Sequence, residues 1–130
     1  MNGLFDVNAL VALGFSHHEF HDRVAAWVQA ESPSLATCSI TELGFVRVLA
    51  QASGYGVSIV QAQTILTRLK KDRSLSHTFI PDNHDITHLP AWVKTPKQTT
   101  DGHLVQLARS NGAVLATLDE RIPGAYLVPR

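Results

Sequence analysis

Short apolar runs alternate along this chain with longer segments whose apolar residues recur at helical spacing, and that alternation limits the possible folds more than any other feature. "GLF" (3–5), the end of "SPSLATC" (32–38), "HTFIP" (77–81, stopped by Pro81), "AVLATL" (113–118) and "AYLV" (125–128) read as strands. Between them, "VNALVAL" predicts a short helix that Gly14 stops. A helix from His17 to about Glu31 carries Phe20, Val24, Trp27 and Val28 on one face. "SITELGFVRVLAQAS" (39–53) is apolar nearly all round, which predicts a central and largely buried helix. Residues 57–73 place Ile59, Ala62, Leu66 and Leu69 on one side and end in the basic "RLKKDR". "TTDGHLVQLARSNG" (99–112) turns Leu104, Leu107 and Ala108 inward, and 82–98 reads mostly as loop. Strands separated by helices imply an α/β fold, a central parallel sheet of four to five strands flanked by helices and joined by right-handed crossovers.

A chain of 130 residues is one domain, 1–130, with room for one sizeable core. With 11 basic and 11 acidic residues it has no net charge, so contact with nucleic acid must rest on local patches rather than a global field. The lone Cys38 has no intramolecular disulfide partner, which suits a reducing compartment. The apolar "ALVALGF" has no basic stretch before it and Asp6 interrupts it, so it does not read as a signal peptide. No apolar run is long enough to span a bilayer, and a cytoplasmic location is expected.

Four carboxylates stand out against this apolar background. Asp6 ends the first strand, Asp119 follows the fourth, Glu42 lies in the first turn of the helix after the second, and Asp101 opens the helix before the fourth. Sites in open parallel sheets form beyond the carboxyl ends of the strands, so all four are candidates for one edge. Each also has a local alternative. Asp6 and Asp119 can be helix N-caps, Glu42 completes a capping box with Ser39 in "SITE", and Asp101 suits a helix N-terminus capped by Thr99 or Thr100. Caps can be made from Ser, Thr or Asn without charge, whereas crowded carboxylates repel unless a cation lies between them. Oxygen donors of this kind suit Mg²⁺ or Mn²⁺, and an open site of that type suits phosphodiester hydrolysis by an activated water.

"FDVNALVAL", "TCSITELGFVRVL", "HTFIPD" and "TTDGHLVQLARSNGAVLATLDERI" occur here in the order and spacing of the PIN-domain ribonucleases, and the chain resembles their VapC-type toxins over essentially its whole length. The resemblance implies a three-layer PIN-like fold and a Mg²⁺-dependent endoribonuclease, with Mn²⁺ as a possible substitute. Its expected partners are an RNA substrate, a cognate antitoxin whose C-terminal segment wraps the groove, and a second copy in a homodimer; a membrane is not among them. It also implies Asp6 and Asp101 as principal metal ligands. Glu42 and Asp119 complete the acidic catalytic quartet, binding metal directly or through water and orienting the nucleophile. Asn8 and Thr117 match polar positions flanking the site. Arg47 matches an arginine of "GF-x-R" versions, where it either contacts RNA or fixes an acid. The chain departs from the more frequent "DAYL" in carrying Gly102 and His103 after Asp101.

Other signals weigh less. "HHEFH" (17–21) is one residue short of the zinc-protease H-E-x-x-H spacing and reads as a solvated helix surface. The basic run Arg68, Lys70, Lys71 and Arg73 reads chiefly as a solvated helix end, with RNA contact as the minor alternative. Trp27 and Trp92 read as packing residues, though Trp92 has some scope for stacking on a base. Two rival functions follow from the same residues. One is a haloacid-dehalogenase-like phosphohydrolase with Asp6 as nucleophile, against which Asn8 replaces the second acid of D-x-D. The other is a non-catalytic protein-binding module of the same fold.

Overall fold

The computed structural model describes residues 1–130. Its elements run β1 (Asn2–Phe5), α1 (Val7–Gly14), α2 (His21–Glu31), β2 (Ser34–Thr37), α3 (Ser39–Gln51), α4 (Ile59–Lys71), β3 (Thr78–Phe79), α5 (Thr99–Ser110), β4 (Val114–Thr117) and β5 (Tyr126–Leu127). The five strands form one sheet in the order β3-β2-β1-β4-β5, with every pairing parallel. The expected α/β architecture is therefore the observed one.

Alternation along the strands decides which helix covers which face. Phe5, Leu35 and Ala116 point to one side and pack with α1, α2, α3 and α4 through Leu10, Trp27, Phe45 and Leu66. Leu4, Ala36 and Leu115 point to the other, where Leu104, Leu107 and Ala108 of α5 cover them. Such strands, buried on both faces, must be apolar throughout, which is why "GLF" and "VLA" carry no polar alternation. β1 is central, and its two neighbours are reached by crossovers on opposite sides. That leaves a crevice beyond its carboxyl end.

Several local expectations fail, each for an identifiable reason. The second helix begins at His21, not His17, because residues 17–20 form tight turns in which His18 Nδ1 accepts from the Phe20 amide at 3.0 Å. Phe20 therefore stays 40% exposed and the buried stripe starts at Val24. α3 is not buried all round: Leu43 is 69% exposed, while Gly44, Phe45 and Leu49 face the core. Gly44 permits that inward packing, since a Cβ there would lie 2.4 Å from a methyl of Val7. The capping box of α3 is made by Cys38 and Thr41, not Ser39 and Glu42. Glu42 is thus free for other partners. On α4 Ala62, Leu66 and Leu69 pack against the core as expected, but Ile59 is solvent-facing.

Candidate active site

The Asp6 amide still belongs to the sheet, donating to the Ala116 carbonyl at 2.9 Å, while its side chain already caps α1 by accepting from the Val7 amide at 2.9 Å. The capping alternative is correct as far as it goes. The other carboxylate oxygen accepts from the Thr117 hydroxyl at 2.8 Å, across from the end of β4. Thr117 in turn accepts from the Asn8 amide at 3.2 Å and from the Asp119 amide at 3.1 Å. Asn8 also accepts from the Leu118 amide at 3.0 Å. Asn8 and Thr117 therefore stitch the ends of β1 and β4 together and fix the Asp6 carboxylate in one orientation.

Asp6, Asp101 and Asp119 line a single cavity of about 410 Å³ together with Asn8, Thr100 and His18. Asp6 is only 7% exposed. Burial pushes its carboxyl above the ordinary range, hydrogen bonds from Thr117 and Val7 pull it back, and the Asp119 charge pushes it up again. Asp101 is raised as well, first by burial and then by the Asp6 and Asp119 charges, with Arg121 opposing. Its carboxylate takes no hydrogen bond from the protein, although α5 presents it in the first helical turn. Asp119 goes the other way. Arg121 grips it through its backbone amide at 2.9 Å and its guanidinium at 3.0 and 3.2 Å, which holds the carboxyl low.

Two buried or half-buried acids thus repel one another with no protein cation of their own, since the Arg121 guanidinium is already engaged by Asp119. This donor set is all oxygen, and it suits a hard divalent ion. No three Asp, Glu, His or Cys side chains close into a ready-made cage.

Glu42 does not line this cavity. Its Oε2 accepts from the Thr37 hydroxyl at 2.6 Å and meets the Lys70 ammonium at 2.9 Å. Thr37 spends its only proton on Glu42, so the 2.7 Å contact with His77 Nε2 requires the imidazole to donate. Burial and the neighbouring Lys70 push the His77 ring below its ordinary range, with Glu42 opposing, which is consistent with a neutral ring. Arg47 is exposed on α3 and takes part in none of the ion pairs.

Sequence reasoning passed over Thr37 and Arg121, and weighed Lys70 only as part of a basic run and His18 only as solvated helix surface. For Thr37 a signal existed: "LAT" ends both β2 and β4, and each threonine serves the acid beside it. Lys70 was hidden inside a basic run whose neighbours are surface residues. Asn8, the weak point of the phosphohydrolase alternative, is consumed by backbone and Thr117 contacts. Trp27 is part of one core and Trp92 packs against the other. Of the histidines, His21 contacts the Ala12 carbonyl at 2.7 Å and His103 contacts Asp82 at 2.7 Å. No helix is long and apolar enough to cross a membrane.

The PIN domain family model matches residues 4–126. Ribonuclease VapC29 of Mycobacterium tuberculosis is 36% identical over 92% of this chain and 86% of its own length. Among solved structures, the Mycobacterium tuberculosis VapC20 toxin, described as cleaving the sarcin–ricin loop, superposes with a TM-score of 0.68 at 16% identity, covering 98% of this chain and all of that one. VapBC2 of Rickettsia felis, crystallised on a DNA fragment from its promoter, gives a TM-score of 0.62 at 16% identity over 98% and 97% of the two chains.

Proposed function

The chain belongs to the PIN-domain family, and on that premise we propose that it is an endoribonuclease, the toxin of a toxin–antitoxin pair, acting on RNA with a divalent cation. One observation carries this reading: Asp6, Asp101 and Asp119 share a cavity in which two of them are held above the ordinary carboxylate range. Asp6 and Asp101 are the principal ligands, Mg²⁺ is the ion and Mn²⁺ its substitute, with Asp119 acting directly or through water. When bound, the ion polarises the phosphodiester and lowers the pKa of a coordinated water.

The remaining work falls to the chain itself. Thr117 leaves Asp6 ionised and immobile, with lone pairs to spare on both oxygens. Asn8 keeps β4 from sliding against β1, and so fixes the distance between Asp6 and Asp119. Asp101, free of hydrogen bonds, needs no partner removed before it can bind. Arg121 offers a highly exposed cation at the rim, suited to a phosphate oxygen. The proposed protein partner is a cognate antitoxin, and the proposed active form is a cytoplasmic homodimer.

The test is RNA cleavage by the purified chain with Mg²⁺, with EDTA, and in the Asp6→Asn and Asp101→Asn variants. Cleavage is expected only in the first condition. Activity that survives both chelation and Asp6→Asn removes the mechanism, and a folded chain that binds no divalent ion favours the non-catalytic alternative.

A further inference from the structure

Glu42 stands apart from the other three acids, held by partners that form a connected set. Lys70 meets it at 2.9 Å from the last turn of α4, Thr37 donates to it at 2.6 Å from the end of β2, and His77 secures Thr37 at 2.7 Å. The Lys70 ammonium also sits 5.5 Å above the ring of Phe79 on the edge strand β3. Its side chain is 31% exposed and Phe79 is 43% exposed, so both can be reached from solvent. A reachable ammonium beside a half-open aromatic face is what a nucleotide needs, one for its phosphate and the other for its base.

We propose that Lys70 is a positioning residue that latches Glu42 outside the acid cavity and releases it when a substrate phosphodiester takes the ammonium. This rests on the ribonuclease reading above. Glu42 starts in the first turn of α3, at the same carboxyl edge of the sheet as Asp6. Losing its cation leaves Glu42 a part-buried carboxylate held by Thr37 alone, which an ion bound at Asp6 and Asp101 would then draw in. The free enzyme would then hold its ion without Glu42, and substrate arrival would recruit it. A phosphate can shift this equilibrium only because it binds the unlatched state better, and Lys70 supplies that difference.

The proposal is tested by titration calorimetry of Mn²⁺ into wild type, Lys70→Met, Lys70→Arg, Glu42→Gln and the Lys70→Met/Glu42→Gln double variant. Lys70→Met is expected to bind Mn²⁺ about fivefold tighter than wild type or more, and Lys70→Arg to stay close to wild type. The gain must vanish in the Glu42→Gln background. If it persists there, removal of one positive charge near an anionic site explains it and the latch is wrong. A short mixed-sequence 2′-O-methyl oligoribonucleotide should tighten Mn²⁺ binding in wild type and leave Lys70→Met unchanged. Unaltered or weaker Mn²⁺ affinity in Lys70→Met overturns the latch. If Asp6→Asn still abolishes binding in that case, the ribonuclease reading stands without it. No Mn²⁺ binding in wild type and Lys70→Met alike sinks both. Thermal unfolding of each variant shows whether the fold is intact, and Lys70→Gln serves in place of Lys70→Met should the latter not fold.

Discussion

Replacing Asp6 with asparagine should make the metal-free protein more stable while destroying its ability to bind the ion. The side chain is 7% exposed and its ionised form is opposed by burial and by the Asp119 charge. Asparagine caps a helix about as well as aspartate, so the contact to the Val7 amide survives. The new amide nitrogen then donates to Thr117 Oγ1 in place of the half-buried Asn8 amide, which turns to solvent, while the Thr117 proton turns to Asn8 Oδ1 at 3.4 Å. Removing a burial penalty retained for function typically gains about 1 kcal/mol. For a domain of this size that is an increase in Tm of about 3–6 °C. The sign with pH follows from the raised carboxyl. The penalty is absent where Asp6 is protonated, grows as pH rises from the unfolded 3.8 through the folded value, and is complete above it. The variant's advantage should therefore be full near pH 7.5 and shrink as the solution is acidified. Mg²⁺ at about 100 times its dissociation constant adds about 2.7 kcal/mol to wild type and nothing to the variant, reversing their order. Differential scanning calorimetry in EDTA and in Mg²⁺, at two pH values, measures all of this. A variant less stable than wild type in EDTA at pH 7.5, with matching behaviour in Mg²⁺, would refute the claim that Asp6 is a strained ligand.

Three further outcomes are expected. Gly102→Ala, which should stabilise a helix by up to about 1 kcal/mol on propensity, should instead destabilise by about 1–3 kcal/mol in urea unfolding. A Cβ there lies 2.4 Å from a Val93 methyl, and Val93→Ala should restore the loss. Thr117→Val removes the donor to Asp6 and the acceptor for two other groups, so Mg²⁺ affinity should fall about tenfold by calorimetry, with about 1–3 kcal/mol lost in stability. Arg23 donates to the carbonyls of Val128 and Pro129, and Arg23→Ala should free the last residues, seen as faster amide exchange at Val128 and about 1–2 kcal/mol lower stability.

The centre of the sheet was legible because "GLF" and "VLA" are unbroken apolar runs, as burial on two faces requires, whereas the edge strands β3 and β5 are short and largely exposed. The placement of Asp6 and Asp119 was legible for a related reason: a carboxylate directly after such a run has few places to go except the crevice, while Asp101 was legible from its place at the start of the helix leading into β4. Glu42 was not. Its spacing from Ser39 fits a capping box, yet Cys38 and Thr41 take that role through a buried bond pattern that no spacing rule favours. Its true partners come from β2 and α4, and nothing local announces them. The start of α2 was misjudged because Phe20 fits the helical stripe, while a single side-chain contact from His18 to the Phe20 amide holds the preceding residues in turns. Gly102 stands in the sequence as a departure from the more frequent alanine after Asp101. The packing of Val93 and Pro90 against it makes it a requirement.

The strand order has a consequence for how such a chain is made in a cell. Asp6 is translated well before its partners, because the hydroxyl that orients it is 111 residues downstream and Asp119 follows later still. β1 meets β4 only after nearly everything between has been synthesised. A half-translated polypeptide or a proteolytic fragment therefore has no assembled cavity, and a cell making such a protein meets a harmless intermediate until the final strands dock.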